Sequence, residues 1–521
     1  MRSDRRSVLK MGAFGAGMTA AGFTLPLGGR LQGRSASELA SRHFPVPYQR
    51  TFQRPPEIRD RTSIELIQTP TAASIVRGGL ITPLMTFNGT FPGPTIRVNR
   101  GTPVQVTIRN RLPQLHPQWT YRMDTSTHLH GSPSLPQYDG YANDVTFPAY
   151  RKTYHYPNTG PARTMWYHDH AVHHTAQNAY SGLAAQYIVH DDAERNLLPQ
   201  GEFDVPVTVT DAMFDSRGRL AYDDESHSGL WGDVILVNGV PWPTMKVKRR
   251  VYRFRLLNAS ISRSYRFQLS TRDPVTMVAT DGGLMPTSQQ VGSWRHAGAE
   301  RYEILIDFAK YRPGQRVELR NLSNDNNRDY DHTMKVMAFD VTDEPFDTSD
   351  PSATRVPTTL VGSEPMTLKA SQSRRTRRFR LHRSNGIWKI GDQSWQQIVD
   401  SGYTKALASP ALNDIEIWEF ENSSGGWFHP LHIHLVDFQI LARNGRQPFS
   451  YERGPKDVVY TGENETIRLI MKFGPHKGRY MVHCHNLPHE DHDMMSQFIV
   501  GLAPGEADPN DPIEADPCVP D

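Results

Sequence analysis

The sequence predicts an all-β protein, and the reasons are its turn residues and its short alternating runs. Its 521 residues include 39 glycines and 39 prolines, which favour turns over long helices. Between the turns lie short runs rich in valine, isoleucine, tyrosine and phenylalanine. Residues 104–108, for example, alternate apolar and polar side chains as a half-buried strand does. At roughly 150 residues per domain, this length accommodates about three domains.

Residues 1–42 are predicted to be an export signal and leader. Arg5 and Arg6 form the paired arginines of a twin-arginine signal, and residues 11–29 follow as small apolar residues broken by glycine. That stretch is too weakly hydrophobic for a spanning helix, and no second long apolar span follows. We therefore expect export of the folded protein to the periplasm or the cell exterior, without stable membrane insertion. No clean cleavage motif occurs before Ser41.

Composition along the chain divides the remainder into segments. We predict a first domain at 43–192, a second at 202–341 and a third at 374–501. Residues 342–373 are rich in proline, serine, threonine and aspartate and are predicted to be a linker. Residues 502–521 are predicted to be a flexible tail in which Cys518 is a mobile free thiol.

The charge balance argues against two classes of partner. The chain has 58 basic and 55 acidic residues, a net charge of +3. Nucleic-acid-binding and membrane-surface proteins usually carry a marked basic excess. We therefore expect no nucleic-acid partner, and we expect a monomer.

The strongest functional signal is a set of four His-x-His triplets. With 22 histidines in 521 positions, chance predicts roughly one such triplet. Because alternate side chains of a strand share a face, each triplet points two imidazoles at one place. Two triplets lie in the first predicted domain and two in the third, so eight imidazoles are predicted to converge between those domains. The triplets are His128-Leu129-His130, His168-Asp169-His170, His432-Ile433-His434 and His483-Cys484-His485.

The cysteine of the fourth triplet favours copper over zinc. Cys484 lies between two histidines and therefore projects from the opposite face of the strand. One thiolate, two imidazoles and a distant thioether form a trigonal blue-copper site, and His429, His489 and Met494 supply the other three groups. A structural zinc site would normally use four strong ligands, often several cysteines. The strand thus predicts a mononuclear copper on one side and two ligands of a metal cluster on the other.

These motifs resemble those of the three-domain multicopper oxidases, specifically the bilirubin oxidases and the bacterial spore-coat laccases. The resemblance covers nearly all of the chain after the signal, with supporting stretches at 166–171, 231–235 and 486–495. It implies three cupredoxin-like Greek-key β-barrel domains and four copper ions. The implied type 1 ligands are His429, Cys484, His489 and Met494, and the implied type 2 ligands are His128 and His432. The implied type 3 ligands are His130, His168, His170, His434, His483 and His485.

Three further residues are candidates for function through the same resemblance. Asp139 and Glu490 are similar to acidic positions that the family uses to deliver protons. Asp139 alternatively is a turn residue before a glycine, and Glu490 a surface or ligand-orienting carboxylate. Trp427 is similar to a tryptophan of bilirubin oxidases and is a candidate for docking a planar donor, or else packs in the core. Met495 is the alternative to Met494 as the thioether.

The resemblance implies an oxidase that couples four one-electron oxidations to the reduction of dioxygen to water. Phenols, aromatic amines and tetrapyrroles are the expected donors. The main alternative is a cuprous or ferrous ion oxidase, which would favour a methionine-rich insert or a carboxylate cluster beside the type 1 site. A copper nitrite reductase, a single-domain electron carrier and a division-associated protein without copper each fit the twelve ligand positions less well.

Overall fold

The computed structural model describes residues 36–325, 327–503 and 505–521, which form three two-sheet β-sandwiches. The all-β prediction is confirmed. The predicted paired-arginine signal lies outside the described residues. No helix in the described part of the chain has the length and apolar character needed to cross a bilayer.

The first sandwich contains the first two histidine triplets. Its sheets have the strand orders β3-β2-β5-β7-β31 and β1-β4-β9-β8-β6. In β5, Val104, Val106 and Ile108 are buried, as the alternation in the sequence predicts. The elements are β1 (Glu57–Arg59), β2 (Ser63–Ala73), β3 (Thr82–Phe87), β4 (Thr95–Asn99), β5 (Val104–Asn110), β6 (Thr127–His130), β7 (Tyr150–Tyr156), β8 (Arg163–Asp169), α1 (Thr175–Ser181), β9 (Ala184–His190) and α2 (Asp192–Leu197).

The second sandwich contains none of the triplets but has the most extensive core. Its sheets have the orders β12-β11-β10-β14-β19-β16-β17 and β13-β21-β20-β15-β18. The strands are β10 (Asp204–Ala212), β11 (Val234–Val237), β12 (Val240–Pro241), β13 (Thr244–Val247), β14 (Val251–Asn258), β15 (Tyr265–Leu269), β16 (Val275–Thr280), β17 (Gly283–Val291), β18 (Trp294–His296), β19 (Arg301–Asp307), β20 (Arg316–Asn321) and β21 (Lys335–Val341).

The third sandwich contains the other two triplets. Its sheets have the orders β23-β22-β24-β28-β26 and β27-β25-β29-β30. The elements are β22 (Arg375–Ser384), β23 (Ile387–Ile390), α3 (Trp395–Asp400), β24 (Ile415–Asn422), β25 (His429–Ile433), β26 (Phe438–Arg443), β27 (Val458–Thr461), β28 (Thr466–Lys472), β29 (Gly478–Cys484), α4 (Leu487–Asp491), β30 (Met495–Val500) and, in the tail, β31 (Val519–Pro520). Short 3-10 helices occur at Pro136–Tyr138, Gly201–Phe203, Phe308–Lys310, Pro351–Ala353, Glu364–Thr367, Ala370–Gln372 and Ser450–Glu452.

The end of the predicted leader packs against the second sandwich. The buried carboxylate of Asp233 accepts the backbone N–H groups of Ala36 and Ser37, each at 2.8 Å. The N–H of Glu38 donates to the carbonyl of Phe214 at 2.8 Å. Residues 36–42 therefore belong structurally to the folded part, because removing them would leave a buried carboxylate without these donors.

The tail is not flexible as predicted but docks on the first sandwich. β31 pairs antiparallel with β7, and Asp521 forms ion pairs with Arg109 and Arg111. Cys518 is buried, so the prediction of a mobile thiol is also wrong. The polar, proline-rich composition predicts disorder, yet β31, the side-chain carboxylate of Asp521 and an ion pair of Asp511 with Arg479 attach the segment to the folded part.

Deleting residues 517–521 should lower the apparent unfolding midpoint by about 2–4 °C, the shift that roughly 1 kcal/mol produces in a domain of 150–250 residues. The deletion removes the pairing of β31 with β7 and one of the two acidic partners of Arg109, which keeps Glu65. Differential scanning calorimetry measures the shift, with Glu514→Ala, an exposed side chain of the same tail, as the control. An unchanged midpoint would show that the docked tail contributes no stability.

Candidate metal centre

All eight histidines of the triplets meet in one buried space between the first and third sandwiches. In β6 and β8, His128 lies opposite His168 across an antiparallel pair. In β25 and β29, His432 lies opposite His483 in the same way. The second histidine of three triplets follows the end of a strand, and every one of the eight is at most 1% exposed.

The eight rings divide into two groups of three and a remaining pair. The ligand atoms within each group lie within 4.8 Å of one another. In the second group, Nε2 of His483 is 3.2 Å from Nε2 of His170 and 3.1 Å from Nε2 of His434. The remaining two rings face each other with 3.4 Å between their Nε2 atoms. The first group is His130, His168 and His485, the second is His170, His434 and His483, and the remaining pair, His128 and His432, also lies within the same distance of His130.

The protonation and bonding of these rings suit metal ions. Burial lowers the pKa of His168 to about 3 and that of His170 to about 4, so these imidazoles are neutral at neutral pH. In the first group, Nδ1 of His130 and Nε2 of His168 and His485 have no hydrogen-bond partner among the described residues. Buried polar atoms are rarely left unpaired, and neutral imidazole is a good ligand for copper.

Cys484 lies on the other face of β29, at the centre of a second site. Its Sγ atom is 3.4 Å from Nδ1 of His429 and 3.7 Å from Nδ1 of His489. The two Nδ1 atoms are 3.3 Å apart, and all three side chains are fully buried. Burial raises the pKa of the Cys484 thiol, so a metal ion must displace its proton on binding. This donor set fits a copper ion.

The structure separates the two candidate thioethers. Met494 packs with Cys484 in the core cluster of the third sandwich, and its carbonyl accepts the N–H of Cys484 at 3.0 Å. Met495 packs in a different cluster, with Tyr141 and Trp395. Met494, which directly precedes β30, is therefore the thioether on the Cys484 side.

Asp139 and Glu490 both contact the histidine cluster, on different sides. Oδ2 of Asp139 is 2.7 Å from Nδ1 of His434. Glu490 is 2.8 Å from Nδ1 of His483 and 3.4 Å from Nδ1 of His170. Burial raises the pKa of Asp139 well above its usual range. Burial also raises the pKa of Glu490, but the imidazoles of His483 and His170 outweigh it and hold the value at about 2.

Trp427 lies beside the Cys484 site and is only partly buried. Its ring centroid is 5.6 Å from that of His489, 5.9 Å from that of Trp388 and 6.3 Å from that of Trp231. Trp388 itself stacks on His489 at 4.1 Å. Neither Trp388 nor Trp231 lies near a ligand in the chain, so the motifs pointed to neither as part of this site, although residues 231–235 belong to a stretch that resembles the family.

Two other residues at the cluster carry no sequence signal. Oδ1 of Asp457 is 3.0 Å from Nε2 of His130, and its carbonyl is 2.8 Å from Nδ1 of His432. Arg301, from the second sandwich, donates to both carboxylate oxygens of Asp457 at 2.6 and 2.5 Å. The second sandwich thus contacts the cluster although it supplies none of the triplets.

A cavity of about 230 Å³ reaches the cluster from the surface. Its lining includes His128, His432 and Asp457, together with Ser363 and Glu364 from the predicted linker. The cavity thus borders the histidine pair, and none of Cys484, His429 and His489 lines it.

Comparisons with known proteins agree with this geometry. Two family models described as "Multicopper oxidase" match residues 70–194 and 372–503. A bilirubin oxidase of Albifimbria verrucaria is 40% identical over 439 residues, covering 81% of this chain and 73% of that protein. A laccase of Bacillus subtilis strain 168 is 33% identical over 511 residues, covering 86% of this chain and 96% of that protein. The crystal structure of a multicopper oxidase from Aquifex aeolicus is 28% identical, with a TM-score of 0.77 over 88% of this chain and all of that one.

Proposed function

Because this chain belongs to the multicopper oxidase family, we propose that it holds four copper ions, one at Cys484 and three in the histidine cluster. It is a copper-dependent oxidoreductase with dioxygen as the acceptor, and its three sandwiches are cupredoxin-like domains. The convergence of eight buried imidazoles on one space is the observation that carries the proposal. Metal analysis of copper-loaded protein tests it, and fewer than four coppers per chain would contradict it.

We propose the following ligands. His429, Cys484, His489 and Met494 hold the type 1 copper. His128 and His432 hold the type 2 copper, and the two groups of three histidines hold the type 3 pair. When bound, copper supplies one-electron redox chemistry, so that four donor electrons and four protons convert one dioxygen to two waters. Cys484 joins its site to the cluster because His483 and His485 are its neighbours in the chain, an unbroken covalent path.

Asp139 and Glu490 are proposed to move the protons that water formation needs. Oδ1 of Asp139 has no hydrogen-bond partner among the described residues, and its raised pKa lets the carboxyl group keep a proton beside His434. Glu490 is ionised between His483 and His170, where it can accept a proton. A carboxyl group with a raised pKa suits a proton donor, and one with a lowered pKa suits a proton acceptor.

Glu490→Gln should slow reoxidation of the fully reduced enzyme by dioxygen by about 100-fold, the usual scale of a lost acid–base group. Copper content should stay at four, because glutamine keeps the shape of the side chain between the two rings. Stopped-flow absorbance after mixing with dioxygen measures the rate. Glu506→Gln, an exposed side chain of the tail, is the matched control. An unchanged rate with full copper would rule out this role.

For the electron donor, we propose a phenol, an aromatic amine or a tetrapyrrole. The partly buried Trp427 and the neighbouring Trp388 and Trp231 support an aromatic donor near His489. A steady-state panel of phenols, bilirubin, cuprous and ferrous ions on copper-loaded protein tests the class. Turnover of the metal ions alone would overturn it.

One observation favours the second candidate, a cuprous or ferrous ion oxidase. Near the type 1 site, Oδ2 of Asp224 is 3.0 Å from Nε2 of His492, and the rings of His492 and His227 stack at 3.5 Å. A carboxylate with imidazoles is a donor set for metal ions. The same donor panel separates the two candidates.

We also propose that the protein is exported by the twin-arginine route to the periplasm or the cell exterior, and that it is a monomer. Arg5 and Arg6 support the route. Cell fractionation with an Arg5→Lys/Arg6→Lys variant tests export, and light scattering on the purified protein tests the monomer. Retention of the wild-type protein in the cytoplasm would overturn the proposed export.

A further inference from the structure

The second domain covers the outer side of the type 1 site with residues 223–230, called the strap here. The strap joins β10 to β11 and contains neither helix nor strand. It lies against the third domain, where it contacts Trp388 of β23, His489 of α4 and His492.

The backbone carbonyl of Ser228, in the strap, bonds to the outward-facing nitrogen of the proposed type 1 ligand His489. Nδ1 of His489 faces Cys484, so Nε2 is the atom on the outer side of the ring. Nε2 lies 3.0 Å from the carbonyl oxygen of Ser228, which also accepts a hydrogen bond from Asn486 Nδ2 at 3.2 Å. His489 has no exposed surface. A donor therefore cannot bond to this imidazole while the strap is in place.

The other type 1 histidine offers no alternative entry. Nε2 of His429 lies 2.8 Å from Oγ of Ser424, and the ring has no exposed surface. Trp388 covers His489 from another side, stacking on it at 4.1 Å. With the strap closed, electrons must cross at least one layer of protein atoms to reach either ring.

The strap is fixed by a few separate contacts rather than by a sheet. The carbonyl of His227 accepts a hydrogen bond from Nε1 of Trp388 at 2.7 Å, and the N–H of Leu230 donates to Oγ of Ser262 at 2.9 Å. Asp224 pairs with His492 at 3.0 Å, with both side chains nearly one-third exposed. Segments held in this way open more readily than core strands.

We propose that the strap selects the electron donor: it must open for donors that bind the His489 ring directly, and it stays closed for donors that transfer electrons through intervening atoms. This rests on the proposed type 1 role of His489. In the direct case a phenol binds at Nε2 of His489 in place of the Ser228 carbonyl. It then gives up one electron to the type 1 site and one proton to solvent, and becomes a phenoxyl radical.

Two substitutions open the strap by different means. Asp224→Ala removes the acceptor of His492 Nε2 and of the Tyr222 hydroxyl. Gly229→Ala forces a shift, because the new Cβ would lie 2.8 Å from Oγ of Ser262 and the φ of +132° disfavours any L side chain. Neither residue touches a proposed copper ligand through its side chain.

The matched controls leave the strap in place. Glu225→Ala changes an exposed strap side chain, and Gly402→Ala changes a glycine with φ +63° and no atoms within 4 Å of the added Cβ. The two donors are 2,6-dimethoxyphenol and hexacyanoferrate(II). The phenol has a hydroxyl group that can bond to the imidazole nitrogen, and hexacyanoferrate(II) has none. Blue absorbance and copper content are recorded for every variant.

We expect both strap variants to raise kcat/KM for the phenol by about two- to tenfold, the population shift that one lost net hydrogen bond allows. The kcat/KM for hexacyanoferrate(II) should change less than twofold in these variants. Both control variants should match the wild type with both donors. The proposal would be overturned if the ratio of kcat/KM for the two donors stayed constant while the blue absorbance was intact. A fall in kcat/KM for both donors would also overturn it. A wild-type protein without blue absorbance would instead overturn the proposed function.

Hydrogen–deuterium exchange of the unmodified, copper-loaded enzyme gives a test that needs no variant. The amides of the strap should exchange much faster than those of β10, the strand that precedes it. Asp224→Ala should speed exchange in the strap alone. Strap amides as protected as those of β10 would overturn the proposal.

Discussion

Cys484→Ser should abolish both the blue absorbance and the oxidase activity, and should lower the copper content from four to about three per chain. The serine hydroxyl is a hard oxygen donor and replaces a thiolate poorly at a copper site of this type. The two imidazoles that remain, His429 and His489, face each other across 3.3 Å but lack the sulfur between them. Optical spectroscopy, metal analysis and oxygen uptake measure the three effects.

The cluster should survive this substitution, and that makes the result diagnostic. His483 and His485 point away from residue 484, into the other site, so the three remaining coppers should still give a type 2 signal in electron paramagnetic resonance. Cys518→Ser is the matched control, because it removes the only other cysteine of the chain, which is not a proposed ligand, and should leave colour and activity unchanged. Retained turnover of organic donors by Cys484→Ser would contradict the wiring through this residue.

The triplets could be predicted from sequence because their geometry is local. Two side chains at i and i+2 of a strand share a face whatever the rest of the fold does. The same rule predicts that Cys484 and His483 point to opposite faces of their strand, and in the structure they do. The all-β class was equally local, since alternation as in β5 reports burial on one side of a sheet.

What could not be predicted depends on contacts between distant parts of the chain. Arg301 and Asp457 are 156 residues apart and meet only because two domains pack together. Ser228 acts through its backbone carbonyl, which leaves no mark on residue type. The tail has the composition of a disordered segment, and its partners in distant parts of the chain, among them Arg109, Arg479 and β7, reveal that it docks.

Arg301→Met should remove most of the copper from the cluster and leave the type 1 copper in place. Nε2 of His130 lies 3.0 Å from Asp457, so this carboxylate fixes the ring with Nδ1 free for a metal ion. Arg301 is the partner that keeps Asp457 in position, through two hydrogen bonds in a fully buried setting. Removing one member of a buried ion pair typically costs about 3–5 kcal/mol.

Copper content should therefore fall from four toward one, with blue absorbance retained and the type 2 signal lost. The proposed type 1 ligands Cys484, His429 and His489 have no hydrogen bond or ion pair with Arg301. Arg301→Lys, which keeps the charge but not the paired geometry, should retain more copper than Arg301→Met.

The double variant Arg301→Met/Asp457→Asn separates charge from position. It removes both charges but keeps an amide oxygen as the acceptor for His130, so it should recover copper relative to Arg301→Met alone. If all three variants bind four coppers with an unchanged type 2 signal, the second domain does not organise the cluster. If Arg301→Met loses the cluster copper and the double variant recovers it, the second domain supports the cluster by neutralising the buried carboxylate of Asp457, the residue that contacts both His130 and His432.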